Sequence, residues 1–289
     1  MLSLAKWNAY YRLTRLDKPI GIWLLMWPTL WGLLIAGQGR PDMHVVLVFV
    51  LGTILMRSAG CALNDIADRH WDGAVARTHL RPLATGEISV KEAYLVALCL
   101  ALFAFVLVCT LGWQVVAWSV PALFLAISYP YTKRFLAIPQ AYLGVAFGFG
   151  IPMTFVALQG QVPALAWWLL LANVSWSVAY DTAYAMVDRE DDLKIGIRSS
   201  AITFGHWDVM AIMACFVMLL VILAKVACYL RLGWTFWLGW GVAAVLIIRQ
   251  YRLIRRRDPA QCFKAFLENV WIGAVLTAGL AFAYWPGKF

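Results

Sequence analysis

Residues 44–72 read HVVLVFVLGTILMRSAGCALNDIADRHWD. Up to Leu63 the stretch carries one charged side chain, Arg57; beyond it come Asn64, Asp65, Asp68 and Asp72. A helix of about 20 mostly apolar residues is long enough to cross a bilayer. The run 44–66 meets that length, so the acidic tail marks the point where a membrane helix emerges.

Eight more runs have the same character: 19–37, 91–110, 113–130, 137–158, 164–187, 205–228, 233–250 and 263–284. Only Leu111 and Gly112 separate 91–110 from 113–130, which predicts a tight hairpin. The composition agrees: 63% of the 289 residues are apolar, 13% are charged, and the mean hydropathy is +0.75. A soluble domain carries about 25% charged residues. The chain reads as a single membrane-embedded domain over 1–289, all-α and polytopic, a bundle of nine transmembrane helices.

The net charge of +9 would point to nucleic acid in a soluble protein. Here the basic residues sit in short loops, with no basic-aromatic stripe, so they orient the chain instead. With the N-terminus inside, nineteen of the 24 Lys and Arg fall on the inner side and four on the outer, with Arg57 inside a span. This predicts a multi-pass protein of a bacterial inner membrane, with N-terminus and charged loops cytoplasmic. Arg255, Arg256 and Arg257 read as an inner-leaflet anchor. Residues 1–18, with Trp7, Tyr10 and Tyr11 among basic side chains, read as an interfacial lead-in rather than an export signal. The six cysteines form no CxxC pair, and the four histidines have no metal-ligand spacing. Sixteen tryptophans, several near span ends, fit an interfacial belt or the wall of a lipid channel.

Two inner loops, 67–90 and 188–204, are too long for simple turns. Asp68 and Asp72 are spaced i, i+4 and share a face if helical, with Asn64 one turn earlier. Asp188 and Asp192 repeat the spacing, with Asp181 two turns before. Like charges so placed near hydrocarbon are costly. Hard divalent cations relieve that cost, and Mg²⁺ takes one or two carboxylates plus substrate phosphates. The plainer alternative pairs the acids with Arg69 and Arg189. Both clusters are followed by basic segments, Arg77 to Arg81 and Lys194 to Arg198, and the offset between them is 120 residues. That suggests a parallel pseudo-repeat, spans 1–4 and 5–8 plus span 9, with the two clusters facing a central cavity.

Mg²⁺ held by Asp68, Asp72, Asp188, Asp192 and Asn64, ringed by Arg77, Lys133, Lys194 and Arg198, makes a receptor for a diphosphate. An apolar cavity behind it would take a hydrocarbon tail, so the substrate reads as a polyprenyl diphosphate.

The pattern Asn64-Asp65-x-x-Asp68-x-x-x-Asp72 with Asp188-x-x-x-Asp192 resembles the UbiA superfamily of intramembrane prenyltransferases. The strings LTRLDKPIG at 13–21, YPYTKR at 129–134 and YDTAYAMVD at 180–188 are similar to its ubiquinone-pathway branch. The resemblance covers nearly the whole chain. It implies nine helices, a cytoplasmic active site capped by the two loops, and Mg²⁺-dependent ionisation of an all-trans polyprenyl diphosphate. It further implies alkylation of 4-hydroxybenzoate at the ring carbon ortho to its hydroxyl.

An allylic cation needs a dry aromatic site, for which Tyr129 and Tyr131 are candidates. The anionic acceptor calls for an arginine: Arg57, with Arg15 and Arg134 as competitors. Asp181 is the candidate for orienting or deprotonating the phenol. Two other readings stand beside this one. A transporter of anionic solutes would put its charges near the midplane, whereas these lie at helix ends. A prenyltransferase of the same fold could use haem, chlorophyllide, homogentisate or a naphthoate. No protein partner is inferable.

Overall fold

The computed structural model describes residues 4–74 and 78–284. Among them there are helices and no strands. The helices are α1 (Leu4–Leu13), α2 (Ile20–Ala36), α3 (Met43–Asp68), α4 (Val90–Cys109), α5 (Trp113–Thr132), α6 (Pro139–Gly148) and α7 (Gly150–Gln159). They continue as α8 (Ala164–Ala185), α9 (Arg189–Ile195), α10 (Ser200–Phe204), α11 (Asp208–Leu230), α12 (Trp234–Ile254) and α13 (Pro259–Ala283).

Local chemistry sets the ends. Asp42 caps α3, accepting from the backbone N–H of His44 at 2.7 Å and Val45 at 3.3 Å. Ser89 and Glu92 form a reciprocal capping box on α4. The α4–α5 hairpin turns at Gly112 with φ +91°, where a side chain would be strained.

Each of the nine expected runs contains a helix, but the run 137–158 is broken into α6 and α7 at Phe149. Pro152 has no N–H to give the carbonyl four residues back, which is that of Gly148. Six helical segments are long and apolar enough to cross a membrane: α3, α4, α5, α6 with α7, Ser200–Leu230 and α13. The expected nine is therefore not reached on length and composition. Helix α2 has only 17 residues. Asn173, Ser175 and Ser177 dilute α8, and Arg249, Gln250 and Arg252 dilute the end of α12.

The solid core lies where α8, α11, α12 and α13 meet α2. Trp31 and Trp176 stack there with ring centres 5.6 Å apart. Both indole N–H groups find partners on α13: Trp31 donates to Thr277 at 2.8 Å and Trp176 to Asn269 at 3.1 Å. Outward faces are apolar, as at Leu102 and Phe103 on α4, Phe124 on α5, Val217 on α11 and Val245 on α12. Helices satisfy their own backbone, so such faces can meet lipid directly. Beside this core, α3, α4 and α5 face α8 and α13 across a cavity that α2 also lines.

Candidate active site

The cavity has a volume of about 950 Å³. Its wall is apolar over Leu24, Val48, Phe49, Val108 and Met153. At one end it is polar: Arg15, Arg57, Asn64, Asp65, Arg81, Tyr129, Lys133 and Asp181 line it there.

Helix α3 supplies most of this polar end. From Arg57, steps of four, seven, eight and eleven residues reach Cys61, Asn64, Asp65 and Asp68, which follow one helical face. The helix stops at Asp68; Trp71 donates its N–H to the Asp68 carbonyl at 2.8 Å, and Asp72 opens a short 3₁₀ turn. Asp68 and Asp72 therefore do not share a face of one helix, as their spacing suggested. What gathers the acids is basic side chains from elsewhere in the chain. Asp65, almost fully buried, accepts from Arg15 at 2.9 Å and pairs with Arg81 at 3.1 Å. Arg81 also donates to both oxygens of Asp72 at 2.9 Å. Lys133 donates to Asp68 at 3.1 Å.

Burial pushes the Asp72 carboxyl above the ordinary carboxylate range; Arg81 pulls against this, while Asp65 and Asp68 add repulsion. Burial lowers the Lys133 ammonium, but Asp68, helped by Asp181 across the cavity, outweighs it and holds Lys133 above the usual lysine value.

The second cluster is also split. Helix α8 ends at Ala185, and Asp188 sits at the N-cap position of the separate α9. Asp192 donates its N–H to the Asp188 carbonyl at 2.8 Å, so these two keep the i, i+4 relation. Asp181 belongs to α8 instead. It lines the cavity, whereas Asp68, Asp72, Asp188 and Asp192 lie outside the lining set. Among the described residues, no three His, Cys, Asp or Glu side chains are grouped as a ready metal site.

Both clusters are tied to one connecting segment between α5 and α6. Lys133 holds Asp68, and Arg134 donates to the Ala67 carbonyl at 3.2 Å. Arg198 donates its backbone N–H to the Lys133 carbonyl at 2.9 Å and its guanidinium to Phe135 O at 2.9 Å. The two acidic segments thus meet the same loop at the same end of the bundle.

Other expected residues fall elsewhere. Arg134 lies over the rings of Trp71, at 4.8 Å, and Tyr131, at 5.0 Å, outside the cavity. Tyr131 faces outward with it. Lys194 is exposed and pairs with Asp191 at 3.3 Å; Arg198 is exposed too, its guanidinium bonded to the Phe135 carbonyl. Arg77 lies outside the described residues. Arg69 bonds the Ile66 carbonyl and Arg189 bonds Asp208, so neither neutralises its neighbouring cluster in the way the plainer reading supposed. Asp65, part of the acidic motif, and Arg81, the end of the basic segment that follows it, were given no role of their own from the sequence. The helical steps from Arg57 could have found Asp65; Arg81 needed the fold of its loop.

Asp208, fully buried, carries a second charge centre. Arg257 donates to it through Nε at 3.0 Å and Nη2 at 2.8 Å, and Arg189 through Nη1 at 3.0 Å. Arg257 is therefore a clamp on the start of α11 rather than part of a free anchor. Asp208→Ala would leave two half-exposed guanidinium groups without their acceptor, at a cost of about 1–3 kcal/mol. A drop of several °C in the apparent Tm of the purified protein checks this; an unchanged Tm would show the clamp to be dispensable.

The chain belongs to the UbiA prenyltransferase family, which it matches over residues 25–283. It is 62% identical over 275 residues to the 4-hydroxybenzoate octaprenyltransferase of Methylobacillus flagellatus, covering 95% of this chain and 93% of that protein. Identity to the 4-hydroxybenzoate octaprenyltransferase of Aromatoleum aromaticum is 60%, over 95% of this chain and 94% of that one. The structure of a UbiA homolog from Archaeoglobus fulgidus bound to GPP and Mg²⁺ shares the fold, with TM-score 0.66, 19% identity, and coverage of 93% of this chain and 99% of that one. Membership in a prenyltransferase family removes the transporter reading.

Proposed function

We propose that this chain transfers a polyprenyl group from polyprenyl diphosphate to the ring carbon ortho to the hydroxyl of 4-hydroxybenzoate, releasing diphosphate, as a step of ubiquinone biosynthesis. The observation that carries the reading is one cavity whose long wall is apolar and whose polar end holds Arg57, Asn64, Tyr129, Lys133 and Asp181. A lipid tail and a small charged aromatic need those two surfaces side by side. Relatives of about 60% identity carry the same activity in their names.

The donor set suits Mg²⁺. Asp68, Asp72, Asp188 and Asp192 offer hard oxygens, and the buried Oδ1 of Asn64 has no hydrogen-bond partner. These five residues would hold the metal, and bound Mg²⁺ supplies charge neutralisation for the departing diphosphate. Lys133, Arg81 and Arg15 bind the phosphate oxygens. The C1–O bond of the prenyl diphosphate breaks with its electron pair on the diphosphate. The ring carbon of the acceptor forms the new bond to C1, and the ring proton then leaves. Tyr129 faces the allylic cation, and the apolar wall excludes water. Arg57 takes the acceptor carboxylate, and Asp181 orients or deprotonates the phenol.

The same reading gives nine crossings of the bacterial inner membrane, with the active site cytoplasmic. The nineteen-to-four bias of basic residues supports that orientation. A pseudo-repeat of spans 1–4 and 5–8 plus span 9 within the 1–289 domain fits the packing of α3 on α4 and of α8 on α11.

Membranes carrying the protein are expected to convert labelled 4-hydroxybenzoate and polyprenyl diphosphate to prenylated product. A failure to do so, with homogentisate or a naphthoate converted instead, would reassign the acceptor. Arg57→Ala should raise the KM for 4-hydroxybenzoate about 10–100-fold, the scale of one lost charged hydrogen-bonding partner. The KM for the diphosphate should change little; equal effects on both would remove Arg57 from the acceptor site.

A further inference from the structure

The space beside Arg57 is as specific as the arginine itself. Gly21, on α2, is buried and lines the cavity next to the guanidinium. A Cβ placed on Gly21 would come within 2.8 Å of Arg57 Cζ and closer still to Nε and Nη2. The guanidinium is held from two other sides. Its Nη1 donates to Cys61 Sγ at 2.7 Å, one turn further along α3, and its Cζ lies 5.5 Å from the Phe147 ring centre. Its Nε is buried without a hydrogen-bond partner, and among the described residues Arg57 makes no ion pair. A cation so placed within a membrane segment calls for an anionic ligand.

We propose that Gly21 is a positioning residue for acceptor recognition. Its missing side chain lets the Arg57 guanidinium lie flat against α2, between Cys61 and Phe147, and this fixes where the acceptor carboxylate docks. The inference rests on the reading that Arg57 binds that carboxylate. Gly21 has no polar side chain to offer the carboxylate and acts through Arg57.

The obstructing atoms are the far end of one flexible side chain, so Gly21→Ala can be accommodated by moving the guanidinium and leaving the backbone in place. Alanine is also the better helix former. In membranes, Gly21→Ala is expected to raise the KM for 4-hydroxybenzoate about tenfold or more, with the KM for polyprenyl diphosphate and the apparent Tm held. In an Arg57→Lys background the branched head that would collide is gone, so adding Gly21→Ala should cost nothing further. Equal penalties in both backgrounds, or a rise in both KM values together, would overturn the proposal. Should Gly21→Ala lower the amount of inserted protein, the double variant should restore it; failure of both variants to insert also counts against the proposal. If Arg57→Ala leaves the acceptor KM unchanged, the underlying acceptor reading falls. If Arg57→Ala raises it and Gly21→Ala does not, the inference about Gly21 falls alone.

Discussion

Asp68→Ala and Asp188→Ala are each expected to lower turnover by at least about 10²–10³-fold, the scale of losing one preorganised contact to developing charge. The inserted protein should remain at wild-type level. Asp68 is the last residue of α3, and its carboxylate is the partner of Lys133. Removing it takes away a proposed metal donor and also frees the ammonium that this carboxylate holds in place. Asp68→Asn separates these effects. The amide can still accept from Lys133 but carries no charge. If the charge matters, Asn is nearly as inactive as Ala; if only the position of Lys133 matters, Asn recovers most of the rate. Asp188 has a different setting, at the N-cap position of α9 with no cap bond from its side chain. An equal loss there would tie the second cluster to the same event. Wild-type rates in either Ala variant, measured as initial velocities per inserted protein, would remove that residue from the reaction.

Much of the fold was legible because bilayer physics is written in composition. Apolar runs of helix length, and basic residues gathered between alternate pairs of runs, need no tertiary information to be read. The acidic clusters were legible too, yet their geometry was not. Spacing of i, i+4 assumes a continuous helix, but α3 ends at Asp68, before Asp72, and α8 ends at Ala185, so that Asp188 and Asp192 belong to the separate α9 and are cut off from Asp181. Helix termination at a membrane exit depends on loop partners such as Arg81, Lys133 and Arg198, which lie far along the chain. The break at Phe149 was not legible: Pro152 lacks an N–H, but Pro28 and Pro121 lack one too and sit inside unbroken α2 and α5. The roles expected of Arg134, Lys194 and Arg198 depended on which way each side chain points. There the sequence offers only a positive charge in the right loop.

Metal removal should have the larger effect. EDTA is expected to stop product formation in membranes, and excess Mg²⁺ to restore it. The charges around the site give the reason. Asp65, Asp68 and Asp72 face Arg15, Arg81 and Lys133, so three carboxylates are matched by three cations. A diphosphate arriving there brings several negative charges to a region whose positive side chains are already engaged. With a divalent cation on the carboxylates, Lys133 and Arg81 can turn from Asp68 and Asp72 to the phosphate oxygens. Without it, the same side chains are held by the acids and the diphosphate meets like charge. The exchange also predicts a signal independent of turnover. Mg²⁺ alone should raise the apparent Tm of the purified protein, by mass action on the folded state, and Asp68→Asn should weaken that rise. Full turnover in EDTA, with no Tm response to Mg²⁺, would show that the carboxylates serve only to hold Lys133 and Arg81.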